Sequence, residues 1–102
     1  MKYQLVLQFP GDQIEDFDEM LKLEMDLDLS LADDHEVDGH DIGSGEMNIF
    51  IHTNNPEEAF SKAKESLAKL NALNYVAAYR EIEGEAYTVL FPTNFSGEFC
   101  VK

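Results

Sequence analysis

Apolar residues occupy every second position at the start of the chain, from Tyr3 to Phe9. This period of two is typical of a β-strand that buries one face and leaves the other to solvent. A proline–glycine pair ends the pattern. Asp12, with Glu15 three residues later, then forms a capping box that predicts the start of a helix.

The segment that follows carries two conflicting periods. Apolar residues alternate strictly with Glu, Asp and Ser over residues 23–31, which is the period of a strand. Leucine, methionine and glutamate nevertheless favour helices, and aspartate is unfavourable in strands. We therefore predict one helix over residues 12–32. Its apolar residues fall into two stripes, Ile14, Phe17, Leu21 and Met25 in the first and Met20, Leu23, Leu27 and Leu31 in the second.

The second stripe lies away from the first and therefore needs a contact of its own. Two contacts are open at this point. The C-terminal segment of the same chain can cover the edge of the helix, or the stripe can form an interface with another subunit.

A β-hairpin is predicted next. The mostly polar residues 34–42 lead through Gly43, Ser44 and Gly45 into the apolar run 47–52, and a glycine-containing loop between two such runs favours a hairpin. The acidic first arm suits an edge strand, where charge discourages association between sheet edges.

The second helix has the clearest start signal in the chain. Asn55 is a favourable N-cap, Pro56 fits the first helical position, and Glu57 and Glu58 suit the positive end of the helix dipole. A single apolar stripe is predicted to face the core, formed by Ala59, Phe60, Ala63, Leu67 and Leu70.

The last third of the chain predicts two more strands. Residues 75–82 read as a strand, residues 83–84 as a turn and residues 87–91 as a short strand. Residues 92–102 form a C-terminal extension, whose Phe95, Phe99 and Val101 are expected to dock on the rest of the protein.

The order of elements predicts the fold class. Strand, helix, hairpin, helix and strand in one chain of 102 residues favour a single α+β domain, residues 1–102. The order resembles the ferredoxin-like βαββαβ sandwich, which implies a four-stranded antiparallel sheet with two helices on one face and, here, a short C-terminal strand. The stretch from Gly39 to Phe50 resembles small uncharacterised bacterial proteins. Neither resemblance implies an activity.

Charge is the most unusual property of the composition. The net charge is −14, and the stretch from Asp12 to Glu46 contains 14 acids against one base, Lys22. Such a field repels nucleic acids and anionic membranes, which bind proteins largely through Lys and Arg. A basic protein partner fits it, although acidity can also serve solubility alone. The single cysteine, Cys100, and the absence of a signal-like N-terminus predict a cytoplasmic protein.

The candidate site follows from the expected hairpin pairing. A register symmetric about Ser44 places His40 opposite Asn48 and sends both to the sheet face without helices. Tyr79 or Arg80 joins them, depending on the register of the last strand. The ligand-binding candidates are Gln4, Gln8, Asp38, His40, Asn48, Phe50, His52 and Tyr79. His40 is the candidate general base, because a histidine near a carboxylate titrates close to neutrality.

Metal and cofactor signals are weak. His40 and His52 are expected roughly 13 Å apart along their strands, too far to share a metal ion. The acidic run from Asp34 lacks the final glutamate of a calcium-binding loop, because Gly45 stands there. We therefore predict no metal and no cofactor.

Two functions are consistent with these features. The first is a non-catalytic acidic module that docks a basic protein partner, as an inhibitor or antidote does. The alternative is a small-molecule-binding or small enzymatic domain that uses the open sheet face around His40, at the interface of a homodimer. No motif in the sequence is specific for a reaction.

Overall fold

The protein is described here from a computed structural model, for residues 1–10, 17–31, 35–43, 45–69, 75–95, 97, 99 and 101. The elements are β1 (Tyr3–Pro10), α1 (Phe17–Leu31), β2 (His35–Gly43), β3 (Glu46–Thr53), α2 (Pro56–Lys69), β4 (Val76–Glu81) and β5 (Thr88–Phe91). The capping box at Asp12 and Glu15 lies outside the described residues. Neither helix is long and apolar enough, within the described residues, to cross a lipid bilayer.

The strands form one antiparallel sheet in the order β2-β3-β1-β4-β5. The predicted α+β class is confirmed, but the described part of the chain forms a sheet of five strands, whereas four are predicted. The difference arises because β5 does not stand apart as an extra element. It pairs with β4 and becomes one edge of the sheet, while β2 forms the other edge.

Both helices pack on one face of the sheet. The core between them contains inward residues of β1 and β3, such as Leu5, Leu7 and Ile49, together with α1 and α2. Four of the five residues predicted as the apolar stripe of α2 are buried there, and Leu70 lies outside the described residues. The buried members are Ala59, Phe60, Ala63 and Leu67.

The other face of the sheet is partly covered by the C-terminal segment. Phe99 is buried against Val6 and Ala78, and the predicted docking of this segment is therefore confirmed. Phe95 and Val101 pack at the edges of the same cluster. Strand β1 is consequently buried on both faces at its centre, which corrects the expectation of a half-buried strand.

Helix α1 confirms the choice of helix over strand for residues 23–31. It is the second predicted stripe that packs on the core, because Leu23, Leu27 and Leu31 are buried. Leu21 and Met25 of the first stripe are exposed. The C-terminal segment packs on the opposite sheet face, so it does not provide the second contact expected for this helix.

Candidate functional site

The hairpin register differs from the predicted one at both its turn and its middle. Gly43 pairs with Glu46 and Ile42 with Met47, so the connection is one residue shorter than predicted. A β-bulge then follows between Val37 and Gly39, where the register shifts by one residue. The pairs between these two irregularities are therefore displaced, and the predicted pairing of residues 36 and 52 is recovered beyond the bulge.

This shift moves His40 to the other face of the sheet. His40 pairs with Ile49, whose side chain is in the core under the helices, and not with Asn48. The predicted position of His40 on the open sheet face is therefore wrong. Gly39 adopts a φ of 148° at the bulge, a conformation that residues with side chains rarely adopt, so glycine suits this position.

On the helix side, His40 meets a carboxylate of α1. Its Nδ1 lies 2.5 Å from Glu24 Oε1, and the two side chains are 28% and 17% exposed. The predicted neighbouring carboxylate is thus present, although it comes from α1 and not from the hairpin. This contact joins the edge strand β2 to α1, which gives His40 a structural role.

Most of the other candidate residues do share the face opposite the helices. In the pairing of β1 with β3, Gln4 is opposite His52 and Gln8 is opposite Asn48. The Gln8 amide donates to Asn48 Oδ1 at 3.0 Å, and Asn48 is only 1% exposed. A hydrogen bond therefore joins these two amides across β1 and β3.

Phe50, Asp38 and His52 complete that face. Phe50 packs against the cluster formed by Val6, Ala78 and Phe99, beside the docked C-terminal segment. His52 Nε2 lies 3.8 Å from Asp38 Oδ2, which is the range of a weak ion pair if the imidazole is protonated. The candidates therefore line a surface that is partly occupied by the chain itself.

Tyr79 does not reach this face. It pairs with Leu5, packs against the core under the helices and meets Tyr3 edge-to-face at 5.8 Å between ring centres. The alternative residue, Arg80, lies opposite Gln4. Its Nη1 donates to the carbonyls of residues 81, 82 and 84, so this guanidinium stabilises the turn after β4.

Within the described ranges, no group of three or more His, Cys, Asp or Glu side chains is placed to hold a metal ion. His40 and His52 belong to opposite faces of the sheet, because their partners Ile49 and Gln4 do. Their placement gives no support to a shared metal site.

A partly buried polar cluster that no sequence pattern indicates lies at the start of α2. His35 Nδ1 lies 2.6 Å from Thr53 Oγ1, and His35 Nε2 lies 3.4 Å from Glu58 Oε1. A hydroxyl, an imidazole and a carboxylate in series resemble a nucleophilic triad. However, Thr53 is fully buried, and its hydroxyl also accepts a hydrogen bond from the Asn55 amide at 2.9 Å. The cluster therefore holds the helix to the hairpin.

The beginning of α2 agrees with the predicted cap. The Glu58 amide donates to Asn55 Oδ1 at 3.2 Å, as expected for an N-cap. The pKa of Glu58 is lowered from its ordinary value, chiefly by the hydrogen bond and charge of Lys62 and to a lesser extent by His35. Lys62 Nζ lies 3.3 Å from Glu58 Oε1, one helical turn along α2. The Asn-Pro-Glu-Glu sequence carried the signal for the cap, but nothing in it indicated the histidine.

The largest exposed apolar feature of the helices lies on the outer side of α1. Leu21 is 39% exposed, Met25 is 68% exposed and Leu29 is 80% exposed. These residues, named here the α1 outer stripe, are four positions apart and therefore share one side of the helix. At 100° per residue this side is opposite Leu23, Leu27 and Leu31, which face the core.

The α1 outer stripe is set in acidic surroundings. Helix α1 contains five acids and one base, and its last turn has no basic residue. Asp28 is exposed beside the stripe, whereas the carboxylate of Asp26 lies 3.5 Å from Lys69 of α2. Ile42 on β2 is 58% exposed and lies towards the Leu21 end of α1, since Glu24 contacts His40 and the two elements run antiparallel.

Comparisons of the chain with protein-family models, with curated proteins and with solved structures find no match.

Proposed function

We propose that this protein is a non-catalytic acidic binding module that docks a basic protein partner on the outer side of α1. The observation that carries the proposal is the α1 outer stripe, three large apolar side chains that are exposed to solvent and lie within the most acidic part of the chain. Exposed apolar clusters rimmed by polar residues are typical of protein interaction sites.

Charge favours a cationic partner over a second copy of this chain. Residues 12–46 have a net charge of −13, so a symmetric dimer through α1 would place two such segments against each other. Like charges across an interface are unfavourable, whereas opposite charges accelerate association and fix its orientation. The stripe would supply the buried centre of the contact, and the surrounding carboxylates its rim. An inhibitor or antidote of a cationic protein has these properties.

The alternative, a ligand site on the sheet face around His40, loses its main support. His40 is on the helix side, and the face that holds Gln8, Asn48 and Phe50 is packed by its own amide pair and by the C-terminal segment. A histidine beside a carboxylate is otherwise common in structural contacts. We therefore favour the binding module.

We also infer that the domain is a ferredoxin-like sandwich with β5 added at one edge. The βαββαβ order of the first six elements and the adjacency of β2, β3, β1 and β4 support this inference. The fold hosts many unrelated functions, so it adds nothing to the choice between binding and catalysis.

Site-specific photo-crosslinking in the cells of origin tests the proposed function. A photoreactive amino acid replaces Leu29 in the full chain, and crosslinked proteins are identified by mass spectrometry. We expect a basic protein whose purified form binds the wild-type chain and binds more weakly as salt rises, because salt screens the charges of the rim.

The control places the same crosslinker at Ile82, an exposed apolar residue after β4 and away from α1. Crosslinking of the same partners from both positions would contradict docking on α1. So would a purified partner that binds the double variant M25S/L29S as tightly as it binds the wild type.

A further inference from the structure

We propose that the segment of the partner that docks here is a basic amphipathic α-helix lying along α1. This inference rests on the proposed function and specifies the structure and charge of the docking segment. Three features of the molecule support it. They are the spacing of the α1 outer stripe, the charges beside it, and the exposed acidic residues and bulge of the neighbouring edge strand β2.

The spacing of the stripe matches the ridges by which helices pack on one another. Leu21, Met25 and Leu29 form a row of residues four apart, and such rows fit the grooves of a second helix. At 1.5 Å per residue the row is about 12 Å long, or a little over two turns. An amphipathic helix with apolar residues three and four positions apart offers a matching surface of that length.

The charges beside the stripe define the polar flanks of such a helix. Glu24 and Asp28 lie on the side of α1 that faces β2, since Glu24 contacts His40 there and Asp28 is one turn further along. Lys22, which is exposed, lies on the other side, next to the cavity of about 290 Å³ between α1 and α2. Lysine or arginine is therefore expected on the flank of the partner helix that faces β2.

The neighbouring edge strand β2 is poorly suited to accept a strand from a partner. Glu36, Asp38 and Asp41 are exposed along it, and the bulge between Val37 and Gly39 interrupts its regular pairing. Charged residues and bulges are the features by which edge strands resist strand addition. The apolar contact area is on α1, so a helix gains more from it than a strand added to β2.

Two synthetic lysine–leucine peptides of identical composition test this inference on the full chain. One has leucines three and four positions apart over about five turns, so that it forms an amphipathic helix. The other alternates leucine and lysine and favours a strand. A third peptide repeats the helical pattern with glutamate in place of lysine. Binding is measured by NMR titration at low and high salt, and peptide helicity by circular dichroism.

We expect the helical lysine peptide to bind at least about tenfold more tightly than the alternating one and to become helical in the complex. The largest changes in the chemical shifts of the protein should fall on residues 21–29. The variant M25S/L29S should weaken its binding about tenfold, because interface centres depend on a few apolar anchors. The matched control I82S should leave binding unchanged.

The contrary outcomes separate the two proposals. Tighter binding of the alternating peptide, with chemical-shift changes along β2, would overturn the proposal of a helical docking segment. The proposal of a basic protein partner would still stand. Equal binding of the lysine and glutamate helices, or equal binding to M25S/L29S and the wild type, would overturn both, because neither charge nor the stripe would then select the ligand.

Discussion

The two helices of this protein use their apolar residues in different ways. Helix α2 has one apolar stripe, and its described members are buried against the sheet. Helix α1 has two, and among their described members Leu23, Leu27 and Leu31 are buried, whereas Leu21 and Met25 are exposed. Folding requires only one apolar side of a helix that lies on a sheet. The α1 outer stripe is therefore not needed for packing within the described fold, and for this reason we propose that it binds a partner.

The sharpest test of this comparison replaces leucines on the two sides of α1. Leu27→Ala should lower the free energy of unfolding by about 2–5 kcal/mol, because it opens a cavity in the core. Leu29→Ala, the matched change on the outer side, should alter it by no more than about 0.5 kcal/mol. Urea unfolding of both variants measures the difference. Equal losses would mean that Leu29 is covered in the folded protein.

A smaller effect is expected at the start of α2, where the helix depends on its cap. Asn55→Ala removes the acceptor for the Glu58 amide and should lower the free energy of unfolding by about 1 kcal/mol. Asn55→Asp keeps an oxygen acceptor and serves as the control, which should remain close to the wild type in the same urea experiment. A loss of equal size in both variants would show that the cap is not the source of the stability.

The contact between Glu24 of α1 and His40 of β2 should contribute to the free energy of unfolding about as much as the cap at Asn55, or less. A double-mutant cycle with Glu24→Ala and His40→Ala isolates the pair, and we expect a coupling free energy of about 0.5–1 kcal/mol, since both groups are partly exposed. Urea unfolding of the two single variants and the double variant provides the cycle. Additive effects would show that the two side chains do not interact in solution.

The smallest expected effect concerns Glu58 and the pH dependence of stability. Its pKa is lowered in the folded protein, so its contribution to stability is present above pH 4.5, its ordinary pKa, and is lost as the pH falls through the lowered value. Lys62→Met should raise the pKa of Glu58 towards 4.5 and reduce this acid-dependent loss. NMR titration of the Glu58 carboxyl measures the change.

Lys64→Met is the control for that measurement. The Lys64 ammonium lies over the Phe60 ring, 4.9 Å from its centre, and is not among the groups that lower the pKa of Glu58. An equal pKa change in both variants would indicate a general effect of net charge.

Several elements could be predicted from sequence because local and long-range preferences agreed. The cap at Asn55 and the stripe of α2 lead to the same helix. In α1 the alternation of residues 23–31 favoured a strand, yet helix-forming composition prevailed. The consequence of that outcome is the two-sided helix, because residues two apart in a helix point to different sides. The stripe that reaches the core depends on how the helix is rotated on the sheet, which the local pattern does not determine.

The candidate site was harder to predict because it depended on register. The alternation rule reverses each time a strand gains or loses one residue. Gln4, Gln8, Asn48 and His52 lie in regularly paired parts of the sheet and were placed on the correct face. His40 follows a bulge that only the tertiary structure reveals, and Tyr79 depended on a register that the sequence left open between two residues.

The bulge at Asp38 acts as a phase shift in the strand. Residues before and after it obey opposite parity, because Asp38 lies between Val37 and Gly39, which pair with adjacent residues of β3. Without Asp38 the strand would pair regularly, and the imidazole of His40 would still lie opposite Ile49 and beside Glu24. A regular ladder that kept all of these residues would instead place His40 opposite Asn48, so the bulge decides which surface of the domain presents this imidazole.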